Sequence, residues 1–403
     1  MLVRNTILRI CLLALVAFPT LALTVAPYPQ SSYITGISWD MSTLRNLAPY
    51  SDNWCITWAD NDYQYTSWGD GGGFGGNQND GRVSMGVGRV EGTKDSYACY
   101  NVWGGKNAEN PAIFKGKCYG LLAIGSALYM WRTGDGSDSN CFGLQELRKS
   151  TNHGATWDYA NVRYVDVDFS NSKGFFAPTF LQFAKAYSGT RDDYVYIYAP
   201  ENKDDQWEVQ KPGHISLMRV PKSQITQKTA YRFFIGLDGS GNPTWSPDVN
   251  ARKPVFEDSV NGVMRTSVIY NAGLNRYILV IQQKSRFKAN DGHIGIYDAP
   301  EPWGPWTTVF FKNAWDAGIQ IADSKSKTVF WNFSSKWMSS DGNKFVMIYT
   351  GKGSDEWGTV EGTFSTPLSS NPTAGQTFLS TADGLPGGGT IVGSVVGIRS
   401  TDY

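Results

Sequence analysis

Apolar and polar residues alternate along this chain in short runs, and one kind of run recurs five times. Its copies are Tyr63–Trp68, Ala127–Trp131, Tyr194–Tyr198, Arg276–Val280 and Lys344–Tyr349, each rich in β-branched and aromatic residues. Another apolar run precedes each copy across a short turn, at 59–62, 125–126, 188–191, 271–275 and 339–343. Gly, Asn, Asp and Ser dominate these turns, as hairpins that need positive φ require. A third run follows each pair: Val83–Val90, Leu144–Lys149, Ile215–Val220, Ile294–Tyr297 and Thr359–Phe364. Repeats of three or four antiparallel strands, spaced roughly 65 to 80 residues apart, predict an all-β chain folded as a five-bladed β-propeller.

Two stretches fit that architecture. Ser150-Thr151-Asn152-His153-Gly154-Ala155-Thr156-Trp157 resembles the S-x-D-x-G-x-T-W turn of sialidase-type propellers, with Asn in place of Asp. There the side chain caps the turn and the Trp packs between sheets, so His153 reads as a turn residue. The section Pro302-Trp303-Gly304-Pro305-Trp306 makes a stiff corner between two strands. The tail from Ser365 onward is expected either to close the ring onto the first blade or to trail as a flexible end.

Composition adds a compartment. Arg4 and Arg9 lead an apolar run, Ile10–Phe18, with small residues after it; this predicts a signal peptide over 1–26 and a secreted or periplasmic protein. Residues 27–403 then form one catalytic propeller domain. Loss of two arginines leaves 34 basic against 36 acidic residues from the initial 36 and 36. That balance gives no nucleic-acid footprint. No later run is long enough for a membrane span, and a monomer is expected. Cys55, Cys99, Cys118 and Cys141 remain, which permits two disulfides in any of three pairings. No C-x-x-C or calcium loop is present, so no metal or other cofactor is expected, although the Asp-rich stretch leaves calcium open.

The candidate chemistry follows from strand direction. In an antiparallel pair, the start of the first strand and the end of the second lie at the same end. Asp60 and Asp62 fall in the first hairpin turn and read as turn formers. Asp52 precedes the first strand and Asp70 follows the second, so both reach the opposite end, where propellers hold ligands. Applied to the later blades, the rule brings Lys117, Tyr119 and Arg132, then Glu201, then Glu257, Asp258, Asn261 and Arg265, then Asp355 and Glu356, to the same mouth. Paired carboxylates there suit glycosidic hydrolysis, one protonating the leaving oxygen and the other acting on water or the anomeric carbon. Asp52, Asp70 and Glu201 are the catalytic candidates, with Glu201 the expected acid because Tyr198 and Pro200 stand ready to desolvate it. Trp54 and Trp68 are expected to stack on sugar, and the loop Gly71–Gly76 to let backbone approach the ligand. The substrate-binding candidates are completed by Lys117, Tyr119, Arg132, His214, Glu257, Asp258, Arg265 and His293.

Five blades with acids at the mouth resemble the arabinanase-type glycoside hydrolases of family 43. The stretches "SDNWCITWADND", "WGDGGGFGG", "KPGHISLMRVPKSQI" and "DAPEPWGPWTTV" resemble a set of exported bacterial proteins long filed as a domain of unknown function, similar to endo-D-arabinanases that act on cell-wall arabinan. The resemblance runs from about Ser32 to Phe364 and implies a polysaccharide substrate. By blade position it implies Asp52 as the base and Glu201 as the proton donor. Blade two departs from the pattern, with Lys117 and Tyr119 where the family places an acid, and Asp70 is the available substitute. Two other functions remain open on the residues. One is a polysaccharide lyase acting on uronic acids through His214, His293 or Tyr119 with Arg132 or Arg265. The other is a carbohydrate-binding propeller without catalysis.

Overall fold

The computed structural model describes residues 25–134, 141–203, 208–283, 293–312, 315, 328–351 and 355–367. Within them the chain is all-β, and its helical elements are short 3-10 turns. The signal-peptide expectation lies outside the described residues, and so does the tail beyond residue 367.

Five antiparallel meanders follow one another. The first runs Asp52–Trp58, Gln64–Gly69, Met85–Gly92 and Tyr97–Trp103; the second runs Cys118–Ile124, Ala127–Thr133, Leu144–Ser150 and Asp158–Val165. The third runs Thr179–Gln182, Tyr194–Asn202, His214–Pro221, Arg232–Leu237 and Pro243–Ser246. The fourth runs Thr266–Asn271, Arg276–Gln283, His293–Ala299 and Thr307–Lys312. Parallel pairing of Leu181 with Val268 and Gln182 with Ile269 joins the third and fourth into one sheet. The fifth runs Val329–Phe333, Lys344–Thr350 and Trp357–Ser365, and its outer strand is the N-terminal Gly36–Leu47. All five predicted central strands and their third strands are present.

The leading strands of the five meanders are neighbours. Each packs against the next, and that of the fifth also packs against that of the first. Side chains at or beside these leading strands meet in one apolar cluster: Cys55, Tyr119, Phe176, Met264 and Phe330. Burial of such aromatic and sulfur-bearing side chains is worth about 1.5–3 kcal/mol apiece, so this cluster ties the five leading strands together. Tyr119, expected at the mouth, lies inside it with its ring 5.6 Å from that of Phe330.

At one end of the meanders the turns lock together. Asp62 takes Trp58 Nε1 at 3.0 Å and pairs with Lys336 at 3.1 Å and Lys185 at 3.2 Å. His153 meets Asp60 at 2.8 Å and stacks on Tyr65, so it bridges the turns of the first and second meanders. The Ser150–Trp157 turn closes as its sequence predicts: Asn152 Oδ1 accepts from Thr156 N at 3.0 Å, and Trp157 is buried with its Nε1 on Gly154 O at 2.9 Å. The expected disulfides are not formed among the described cysteines. Cys55, Cys99 and Cys118 are free thiols, with Cys55 Sγ 3.9 Å from Cys118 Sγ, and the side chain of Cys141 lies outside the described residues.

Candidate functional site

Asp52 opens the leading strand of the first meander, directly opposite Gly69, the last residue of the next strand. Asp70 follows, so the hairpin register delivers both carboxylates to one end. The close approach requires glycine. A Cβ on Gly69 would stand 2.5 Å from Asp52 Oδ1 and 3.0 Å from Lys117 Cδ. Asp70 turns the chain with a φ of 52°, a left-handed conformation that Asp tolerates better than most residues. The next residue is Gly71, where a Cβ would meet the Tyr50 carbonyl at 2.3 Å.

Asp70 is held between two cations. Its Oδ1 receives Lys117 Nζ at 2.7 Å and Arg82 Nη2 at 3.0 Å. Lys117 also donates to Ser84 O at 3.0 Å, which fixes its ammonium above the first sheet. Both ion pairs fall on Oδ1, leaving Oδ2 to meet a substrate or water. Asp52 is in the opposite situation. It is partly exposed, but its Oδ1 is buried and makes no hydrogen bond. Burial and the neighbouring Asp355 push its carboxyl up to about 7; Lys117 counters, Asp70 adds to the rise, and Arg265 counters again. Asp355, just ahead of the last strand, is also raised, first by desolvation, with Arg265 opposing and Asp70 adding. Asp52, Asp70, Asp355, Lys117 and Arg265 therefore form one electrostatic cluster drawn from the first, second, fourth and fifth meanders.

Arg265 is fully buried and donates Nε to Asn53 Oδ1 at 2.6 Å and Nη1 to Gln282 Oε1 at 2.7 Å. Asn53 adopts a φ of 59°, and its backbone N–H donates to Thr350 Oγ1 at 2.9 Å. Asn53 was not among the sequence candidates. Its signal is the Asp-Asn pair ahead of an aromatic strand, since Asn favours the left-handed region.

Glu201 belongs to a different set of contacts. Its Oε1 pairs with Arg252 at 3.0 Å and its Oε2 with His214 Nδ1 at 3.3 Å, while His214 Nε2 faces Glu257 at 3.5 Å. Arg252 is buried, lies over the rings of Phe169 and Phe175, and is held charged by Glu201 against a desolvation that lowers its pKa. The neighbour that Glu201 meets is a buried guanidinium. Asp258 is buried and accepts from Asn261 Nδ2 at 2.8 Å and from Gln283 Nε2, a polar knot that fixes the loop after Glu257.

Three other expectations are corrected by burial. Trp54 and Trp68 are wholly buried, 5.5 Å apart, and pack with Phe74 and Trp357, so no face of either ring is open to a sugar. The Gly71–Gly76 loop is pinned over them by Ser51 Oγ and Asn101, at 3.0 and 2.9 Å, and serves this packing. Arg132 is buried with Nε on Glu146 at 2.6 Å, where it holds the second sheet. His293 starts its strand opposite Gln283, partly exposed. Among the described residues no group of three or more His, Cys, Asp or Glu is placed to hold a metal ion.

Residues 124–360 match the family described as "Domain of unknown function (DUF4185)". The chain belongs to the DUF4185 family. The matched span contains Glu201, Arg265 and Asp355, while Asp52, Asn53, Asp70 and Lys117 of this DUF4185 chain precede it. No curated protein matches the sequence. Among solved structures, a candidate hydrolase from Bacteroides ovatus superposes with a TM-score of 0.48 at 12% identity, over 81% of this chain and 90% of that one. An α-L-arabinofuranosidase from Podospora anserina in complex with cellotriose gives 0.45 at 9%, over 79% and 92%. An endo-arabinase from Bacteroides thetaiotaomicron gives 0.43 at 10%, over 80% and 98%.

Proposed function

We propose that this DUF4185 chain is an exported five-bladed β-propeller glycoside hydrolase that cleaves a polysaccharide, with Asp52 as proton donor and Asp70 as its charged partner. The observation that carries the assignment is the contrast between two adjacent carboxyls. Asp52 is desolvated and raised to about 7, while Asp70 is ion-paired with Lys117 and Arg82. A desolvated carboxyl beside an ion-paired one is the arrangement that divides acid from base in glycosidases. The propeller reading is supported by the five meanders and by the shared cluster beneath Asp52.

The chemistry balances with these groups alone. Asp52 transfers its proton to the glycosidic oxygen as the C–O bond breaks. Asp70 Oδ2 deprotonates the attacking water, or attacks the anomeric carbon itself. Lys117 bridges the two electrostatically and limits the rise at Asp52. Glu201, tied to buried Arg252, is left out of the pair, so the donor role that the resemblance gives Glu201 passes to Asp52, and the base role passes from Asp52 to Asp70. A lyase would need a base beside a cation that can meet the substrate carboxylate; Tyr119, Arg132 and Arg265 are buried and His214 sits between Glu201 and Glu257, so that alternative is not favoured.

The test is a polysaccharide panel, arabinans included, incubated with purified protein and assayed for new reducing ends. Turnover by the wild type and its loss in both Asp52→Asn and Asp70→Asn is the expected result. Full activity in Asp52→Asn would remove the proposed acid.

A further inference from the structure

Asp52 Oδ1 and Asn53 Nδ2 are both buried, and neither has a hydrogen-bond partner. They approach the same point: the position a Gly69 Cβ would occupy lies 2.5 Å from Asp52 Oδ1 and 3.3 Å from Asn53 Nδ2. One is an acceptor and the other a donor. Leaving either unsatisfied in a protein interior costs about 1–3 kcal/mol.

The orientation of the Asn53 amide is fixed by chemistry. Arg265 Nε has only hydrogen to offer, so the atom facing it at 2.6 Å must be the Asn53 oxygen. The NH2 group is thereby turned away from Arg265. Arg265 is itself held by Gln282, and the Asn53 backbone by Thr350. A buried chain thus runs from Gln282 through Arg265 to Asn53 and ends in an unused N–H donor beside an unused carboxyl oxygen.

We propose that Asn53 is a positioning residue for the acid: its amide N–H takes Asp52 Oδ1 when Asp52 has given up its proton, and Arg265 presents the correct end of the amide. The inference rests on the reading of Asp52 as the acid. A neutral carboxyl gains little from the donor, whereas a carboxylate gains a charge-assisted bond, so the contact strengthens as the proton leaves. The charged groups facing Asp52 are Asp70 on its own hairpin, Lys117 from the second meander, Arg265 from the fourth and Asp355 from the fifth. Asn53 is the neutral donor among them.

Two variants test this. Asn53→Gly removes the amide and still accepts the left-handed backbone. Asn53→Asp keeps the shape and the Arg265 contact but replaces the donor with an oxygen. The readouts are the titration of Asp52, followed by carboxyl-carbon NMR, and kcat and KM against pH. Expected are a rise in the Asp52 titration midpoint of about one pH unit in Asn53→Gly and more in Asn53→Asp. With it, kcat should fall about tenfold while KM stays within about twofold. An unchanged midpoint in both folded variants, or a loss confined to KM, overturns the proposal. Should Asp52→Asn retain turnover while the midpoint still moves in the Asn53 variants, the contact stands and the catalytic reading of Asp52 falls.

Discussion

Replacing Asp52 with Asn should make the protein more stable at neutral and alkaline pH and leave stability in acid almost unchanged. The sign follows from linkage. Asp52 is raised from 3.8 to about 7 in the folded protein, so the folded state binds the proton more tightly than the unfolded chain. Its favourable contribution is full below about pH 4 and is lost as pH rises through about 7. A rise of about three units corresponds to about 4 kcal/mol, an upper bound because Asp70 and Asp355 share the same field. Asn keeps the shape and never ionises. The difference between variant and wild type should therefore be near zero at pH 4 and reach about 2 to 4 kcal/mol at pH 8. In a chain of this size that is a gain of several degrees in Tm. Thermal unfolding at low salt, run from pH 4 to 9 on both proteins, measures it. A difference that stays flat across that range, or a variant less stable at pH 8, would refute the desolvated-acid argument.

Other substitutions separate the remaining roles. Lys117→Met removes a cation that lowers the Asp52 carboxyl, so the alkaline limb of the kcat/KM profile should move to higher pH; a limb that stays in place counts against the cluster. Gly69→Ala puts a methyl 2.5 Å from Asp52 Oδ1 and should cost about 10²-fold in kcat, with circular dichroism unchanged. Glu201→Gln leaves buried Arg252 without its anion and should destabilise by about 3 kcal/mol. Its turnover should change equally on natural and activated aryl substrates, whereas a loss confined to natural leaving groups would make Glu201 the donor.

Much of the fold was legible because strand and turn signals are local. Aromatic and β-branched runs mark the central strands, and Asp62, Asn152 and Gly154 mark where the chain reverses. Antiparallel geometry alone placed Asp52 with Asp70 and away from Asp60. What failed depends on distant partners. Gly36–Leu47 is a polar, bulged outer strand whose pairing with Trp357–Ser365 spans more than three hundred residues, and no local pattern announces it. Trp54 and Trp68 look like sugar platforms until Trp357 is seen to cover the first and Phe74 the second. Glu201 sits at a strand end as expected, but Arg252, fifty-one positions later, decides what its charge does. Asn53 was overlooked because an amide has no charge to attract notice, and its importance comes from Arg265 on another meander.

The most direct measurement is product analysis on a polysaccharide cleaved by the wild type, with Asp52→Asn and Asp70→Asn beside it. Paired-carboxylate hydrolysis yields new reducing ends, no ultraviolet-absorbing unsaturated uronate, and loss of product in both variants. Unsaturated products, or cleavage that survives in both variants, would show that these two carboxyls do not carry the reaction.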